Sequence, residues 1–439
     1  MITINPTIWK SLPGPQDIHR FSLPNGITIL TRSNFNSPSV VLNGYLASGS
    51  MFDTDELLGL SYFTALSISR GTQQHNFQAY FDALESVGAS LGFGSSVHNT
   101  NFGGRSLSED LPLLLQLLSE SLRQPVFPAE QVERLRHQIL TGLAIRAQDT
   151  GESASLEFDK LIFPNHPYGR PEDGYIETIQ RITREDIVEF HRSHYGPKGM
   201  VIVVVGAVAP ETVFEQVKAV FGDWQNEAQV PPPVLPEVKP APGIVRKHIN
   251  IAGKSQSDLI IGMLGPKRKD PDYLAISLGN SVLGQFGMMG RIGDVVREQA
   301  GLAYYASTSL NAWINSGSWE VSAGVNPANL QRAIDLILVE LQRFVAEPVS
   351  LEELENSQSN YIGRLPLSME SNGGVASALL NLERFQLGLD YYHRYPDLVQ
   401  NISPQKVLEA SRRWMHPENL TIVSAGSDKA PAAGEELAG

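Results

Sequence analysis

The sequence predicts an α+β protein of two homologous domains, each a mostly antiparallel sheet flanked by helices, joined by a proline-rich linker into a clamshell. Three observations lead there: an element repeated at constant spacing, a proline-dense segment between the copies, and β-branched runs that alternate with amphipathic helices. The chain has 439 residues. That length suits two domains of roughly 200 residues each.

The repeat is the strongest architectural signal. Ile182–Gly206 aligns without a gap on Ile402–Gly426, at an offset of 220 throughout. In both copies Thr183 or Ser403 can cap a helix with apolar residues at helical spacing. Pro197 or Pro417 follows the helix, and a β-branched strand closes at glycine. A second pair, Pro128–Glu133 and Ser350–Glu355, recurs at an offset of 222.

Between the copies, Pro231 to Pro242 holds too much proline for a helix or a central strand, so it reads as a linker. The expected division is 1–227, linker 228–243, 244–426, and a flexible tail 427–439. Strands are expected at Gly26–Leu30 and Ser39–Tyr45, and amphipathic helices at Leu111–Leu122 and Leu330–Phe344.

Composition narrows the functional classes. Apolar residues make up 42% and charged residues 18%, the balance of an ordinary globular protein. A net charge of −13 opposes general binding to nucleic acid or an anionic membrane. The absence of cysteine excludes disulfides, thiolate zinc sites and cysteine nucleophiles. Met1–Pro13 shows no signal-peptide pattern and no run reaches the ~18 apolar residues of a membrane span, so a cytoplasmic location is expected.

Gly59-Leu-Ser-Tyr62-Phe-Thr-Ala65-Leu66-Ser-Ile-Ser-Arg70-Gly71-Thr72 resembles the zinc-site helix of the pitrilysin (insulinase, inverted-zincin) peptidases, which include the mitochondrial processing peptidase. In active members that helix reads His-x-x-Glu-His and ends in Lys/Arg-Gly-Thr. Two histidines one turn apart bind zinc, and the glutamate polarises the attacking water. Aligning on Arg70-Gly71-Thr72 puts Tyr62 and Leu66 at the histidine positions and Ala65 at that of the base. No metal is therefore expected on this chain, because alanine and leucine have no donor atom and tyrosine is a rare zinc ligand. The resemblance implies one further glutamate ligand downstream, for which Glu152 and Glu157 are the two candidates, and without the histidines either acid reads as a surface residue. On its own the segment also reads as one buried face of an amphipathic helix. His166-Pro-Tyr-Gly-Arg-Pro171, Gly174 and the Tyr195-Gly-Pro197 helix end fall in the family's order, and the resemblance covers nearly the whole chain.

A second motif is retained. Gly284 to Ser307, with Arg297-Glu298-Gln-Ala-Gly301-Leu-Ala-Tyr304, resembles the family's glycine-rich turn followed by Arg-Glu-x-x-Gly-Leu-x-Tyr. The resemblance implies that Arg297 and Tyr304 hold substrate at a zinc site on the other half of the clamshell. Guanidinium offers a fork of donors to carbonyls or a carboxylate, and a phenol donates to a developing oxyanion. Gly301 favours a helix-to-strand turn between the two. The glycines match neither a P-loop nor a dinucleotide fingerprint. Outside the resemblance, Arg297-Glu298 reads as a surface ion pair.

Other candidates read as structural. Glu189, His191 and His194 read as a solvated helix face, since the second copy has Ser411 and Trp414 at the histidine positions. Met288-Met289 reads as gap-filling packing. Tyr391-Tyr392 beside His393 reads as interdomain packing, and His75 and His98 have no evident partners.

Together these expectations describe a non-catalytic subunit of a heteromeric zinc peptidase. Arg297 and Tyr304 would grip a peptide in trans, with zinc held by a homologous His-x-x-Glu-His partner. Two alternatives stand beside it: a scaffold subunit of a larger complex, and a stand-alone peptide-binding pseudoenzyme.

Overall fold

A computed structural model describes residues 12–240, 242–285 and 290–428. Contacts divide it into two compact units. The first contains the chain up to Leu143, Pro171–Val234 and Arg364–Arg394; the second contains Ala144–Arg170, Leu235–Gly363 and the chain from Tyr395. Neither unit is a contiguous half of the sequence.

The first unit holds strands β1 (His19–Ser22), β2 (Thr28–Ser33), β3 (Ser39–Leu46), β4 (Ser90–Ser95), β5 (Thr100–Leu107) and β6 (Val201–Gly206), in sheet order β1-β2-β6-β3-β5-β4. Only β2 and β6 pair in parallel, starting from Thr28 opposite Val201. The second unit holds β7 (Val245–Asn250), β8 (Ser257–Gly265), β9 (Ala303–Ala312), β10 (Gly317–Val325) and β11 (Thr421–Gly426), in order β7-β11-β8-β10-β9. Here β7 and β11 are the parallel pair. With β1 set aside, the two sheets share one topology, as the repeat predicts.

The helices are α1 (Leu60–Ser67), α2 (Phe77–Ser86), α3 (Leu111–Arg123), α4 (Ala129–Arg146), α5 (Thr150–Ile162), α6 (Ile176–Arg181), α7 (Arg184–His194), α8 (Pro210–Phe221), α9 (Tyr273–Asn280), α10 (Leu330–Ala346), α11 (Leu351–Ser368), α12 (Asn372–Arg384), α13 (Tyr391–Gln400) and α14 (Pro404–Trp414). Repeat positions coincide residue for residue: α7 with α14 and β6 with β11 at 220, α4 with α11 at 222. The caps are as expected. Thr183 accepts from the Asp186 amide at 3.1 Å, and Ser403 accepts from the Lys406 amide at 3.2 Å.

Both β6 and β11 are buried along their whole length, so at these strands each sheet is covered on both faces. Part of that cover comes from the other half of the sequence. Helix α5 packs on β8 and β11, and α12 packs on β3 and β6. Two large buried side chains have their polar atoms paired: the Tyr80 hydroxyl lies 2.8 Å from that of Ser121, and Trp319 Nε1 donates to Asn280 Oδ1 at 2.8 Å. No helix among the described residues is long and apolar enough to cross a membrane.

Tyr392 donates to the Ala378 carbonyl at 3.2 Å and His393 bonds to the Leu12 carbonyl at 3.1 Å, all four within the first unit. One expectation about packing needs correction. The helix end at His191 and His194 is not a solvated face. His191 donates Nε2–H to the Leu122 carbonyl at 2.9 Å, and His194 packs against Phe52 and Phe190. Burial pushes both imidazoles down to about 4. Glu189 does stay exposed and pairs with Arg192 at 2.6 Å. Met288 and Met289 lie outside the described residues, as does most of the tail.

Candidate functional site

Helix α1 begins where the backbone turns through Gly59, whose φ of 92° is costly for any residue with a Cβ. Its first amides are satisfied by a buried carboxylate rather than by water. Asp53 accepts from the Gly59 amide at 3.1 Å, the Ser61 amide at 3.0 Å and the Ser61 hydroxyl at 3.1 Å. Nothing in the local sequence marked Asp53 for this role, because it lies outside the helix it caps.

Tyr62 and Leu66 stand one turn apart on α1, both partly buried, and Ala65 is fully buried. Tyr62 and Leu66 both pack against the hydrophobic core of the first unit. The Tyr62 phenol is pushed up by burial and then by the nearby Asp173 carboxylate, so it stays protonated. The donor set on this face does not suit a zinc ion: Ala65 and Leu66 offer no lone pair, and Tyr62 would have to ionise against its surroundings. Among the described residues no group of three His, Asp or Glu side chains could hold a metal ion. Glu152 and Glu157 lie on α5, in the second unit, with Glu152 exposed in the first turn.

The Arg70-Gly71-Thr72 ending has a structural use independent of any metal. The Thr72 hydroxyl donates to Glu120 at 3.0 Å, and His75 Nδ1 lies 2.8 Å from the same carboxylate oxygen. Glu120 is 3% exposed. A buried carboxylate with these partners ties the end of α1 to α3, and it supplies the partner that the sequence did not reveal for His75.

His166 is buried in the second unit among Phe163, Tyr168 and the ring packing of Trp313. Its Nδ1 accepts from the Tyr168 amide at 3.0 Å, and burial, then Arg170, lowers its proton affinity. The imidazole is a neutral cap for the turn at Pro167–Gly169.

The Arg/Tyr element is built by a helix end. A short helical turn, Arg291–Gly293, widens into Asp294–Gln299. It stops at Gly301, where φ is 62°. The Gly301 amide donates to the Arg297 carbonyl at 3.0 Å and the Leu302 amide to the Val296 carbonyl at 3.0 Å. That bonding satisfies the last carbonyls and turns the chain into β9, the helix-to-strand turn that the glycine predicts. Arg297 keeps a side chain that is 39% exposed, 3.8 Å from Glu298. Tyr304 is 61% exposed at the start of β9. Arg297 and Tyr304 thus flank one turn of the second unit, while Tyr62, Ala65 and Leu66 share one helix of the first.

The arrangement can donate hydrogen bonds. A guanidinium and a phenol at an exposed turn can meet the carbonyls or carboxylate of a ligand without a metal beneath them.

This fold, two sheets of one topology with helices over both, is the fold of a solved structure titled peptidase M16 inactive domain, from Pseudomonas fluorescens. The TM-score is 0.87 at 24% identity, covering 94% of this chain and 98% of that one. Two family models match along the chain: insulinase (peptidase family M16) over residues 28–157 and peptidase M16 inactive domain over residues 181–361. The chain belongs to the M16 peptidase family. Among curated relatives it is 26% identical to an uncharacterized zinc protease of Streptomyces coelicolor, over 85% of this chain and 82% of that protein. It is also 24% identical to the mitochondrial-processing peptidase subunit beta of Saccharomyces cerevisiae, over 84% of this chain and 82% of that one.

Proposed function

We propose that this chain is the non-catalytic, substrate-binding subunit of a heteromeric M16 peptidase. Arg297 and Tyr304 hold an extended peptide, and the zinc is carried by a homologous partner. The observation that carries this reading is the contrast within the chain. The register positions for ligands and base hold Tyr62, Leu66 and Ala65, none of them suited to the task, whereas Arg297 and Tyr304 retain accessible polar side chains. Likeness to a processing-peptidase subunit supports a partner of the same family.

The division of labour is one of binding against cleavage. Arg297 fixes the peptide through its fork of N–H donors, and Tyr304 donates its O–H to a peptide oxygen. The partner supplies the metal chemistry. Purified alone, the chain is expected to cleave no fluorogenic peptide with or without added zinc, and to contain substoichiometric zinc by elemental analysis. Copurification from the native source should recover a chain with His-x-x-Glu-His. Chelator-sensitive hydrolysis by the isolated chain would overturn the proposal.

A further inference from the structure

Tyr304 stands at an irregularity in an edge strand. In the pairing of β9 with β10, Gly324 faces Tyr305 and Val325 faces Ala303, so Tyr304 is the extra residue of a bulge. The sequence at this point is Tyr304-Tyr305. A slip of one residue would put Tyr305 in the bulge and Tyr304 in the ladder, exchanging two identical side chains at little cost in composition. Something outside the local sequence has to choose between the two registers.

The choice is made across β10. Strand β8 lies on the far side of β10 from β9, yet the Tyr305 hydroxyl donates to Asp258 Oδ1 on β8 at 2.7 Å. The ring can span that distance because residue 324 is glycine. A Cβ there would come within 2.5 Å of Tyr305 Cε1 and 2.7 Å of Gln256 Nε2. Asp258 is 6% exposed, and both oxygens of its carboxylate accept hydrogen bonds. Gln256 Nε2 donates to Oδ1 at 2.8 Å, and the Thr150 hydroxyl, at the start of α5, donates to Oδ2. A buried carboxylate bound from three directions is a rigid acceptor. The Tyr305 phenol is raised by burial and then by Asp258, which keeps it the donor.

We propose that Tyr305, bonded to Asp258 across Gly324, is the positioning residue that fixes the β9 register and so determines where the Tyr304 side chain stands. Asp258 and Thr150 hold the anchor, and Gly324 provides the seat. The inference rests on the reading that Tyr304 meets the peptide, and it deepens that reading by naming what aims the residue.

The test uses the full chain with 3-fluorotyrosine placed at position 304, observed by fluorine NMR without peptide or partner. The unmodified background should give one resonance. Tyr305→Phe removes only a hydroxyl, and Gly324→Ala displaces the ring by a separate route. Each should split or broaden the resonance as the two registers exchange, and Thr150→Ser, which keeps its donor, should leave it single. Tyr392→Phe breaks a tyrosine bond in the other unit and should also leave it single. An unchanged resonance in both Tyr305→Phe and Gly324→Ala overturns the proposal, even where the melting temperature falls, since the bond would then serve stability alone. In the assembled peptidase, Tyr305→Phe should lower kcat by up to about 100-fold, the scale of a misplacement near 1 Å. If the resonance responds to Tyr305→Phe while Tyr304→Phe leaves turnover intact, positioning stands and the peptide-holding reading falls.

Discussion

On α1, Tyr62 and Leu66 rest against the core of the first unit and Ala65 is sealed within it. Beside Gly301 in the second unit, Arg297 and Tyr304 keep polar atoms at the surface. The first region is explained by packing alone. An apolar helix face with a satisfied N-terminus needs no ligand to account for it. The second region is not, because an exposed arginine 3.8 Å from its neighbouring glutamate and a tyrosine 61% exposed contribute little to stability. The comparison teaches where a function can reside in this chain: in groups that folding does not use.

The largest expected effect breaks or upholds that contrast directly. In the assembled peptidase, Arg297→Ala or Tyr304→Phe should each lower kcat/KM by roughly 10- to 100-fold. That is the scale of about 1.4 to 2.7 kcal/mol of charge-assisted or oxyanion hydrogen bonding. The melting temperature should barely move. Tyr62→Phe should change turnover by less than about twofold, as expected for a group outside the chemistry. Steady-state assays on a fluorogenic peptide read all three, and an equal loss at Tyr62 would erase the distinction.

A second prediction sharpens the comparison between the two repeats. His191 and His194 are held near 4 in the first copy, while Ser411 and Trp414 occupy the same positions in the second and do not titrate. An unfolded histidine takes up its proton near pH 6.5. The folded one does so only near 4, so the unfolded state binds more protons between these values. Stability contributed by the neutral imidazoles is present above about pH 6.5 and is lost as the pH falls towards 4. Urea midpoints at pH 7 and pH 5 should show this loss, and His191→Phe should flatten it. An unaltered acid dependence in that variant would mean that other groups carry it.

The smallest effect concerns the matched caps. Thr183→Ala and Ser403→Ala each remove one acceptor from a helix start, at an expected cost of about 1 kcal/mol apiece. Denaturant titration should find them similar. A marked inequality would show that the two repeats do not share their local energetics.

Much of this was legible before any coordinates. The helices α7 and α14 and the strands β6 and β11 fall where the 220-residue offset puts them, with the expected caps. Helices α3 and α10 run only one or two residues past their sequence limits. Gly301 ends its helix as its residue type suggests. The histidines at 191 and 194 were misread because Glu-x-His-x-x-His spacing on a polar helix is the same whether the face meets water or a neighbouring element. Asp53 as the cap of α1, and Glu120 as the partner of His75, gave no local signal.

The sequence by itself determined the repeat, the helix starts and stops, and the residue types available for chemistry. These depend on interactions within a turn or two of the chain, which residue order encodes directly. Only the tertiary structure decided which sheet receives α5 and α12, which histidines are buried, and that Tyr305 and Thr150 meet at Asp258. Thr150 and Asp258 are 108 residues apart, and Tyr305 and Asp258 are 47 apart. Such pairings are chosen by the packing of whole elements, whose free energy is shared among many side chains and is written in no one of them.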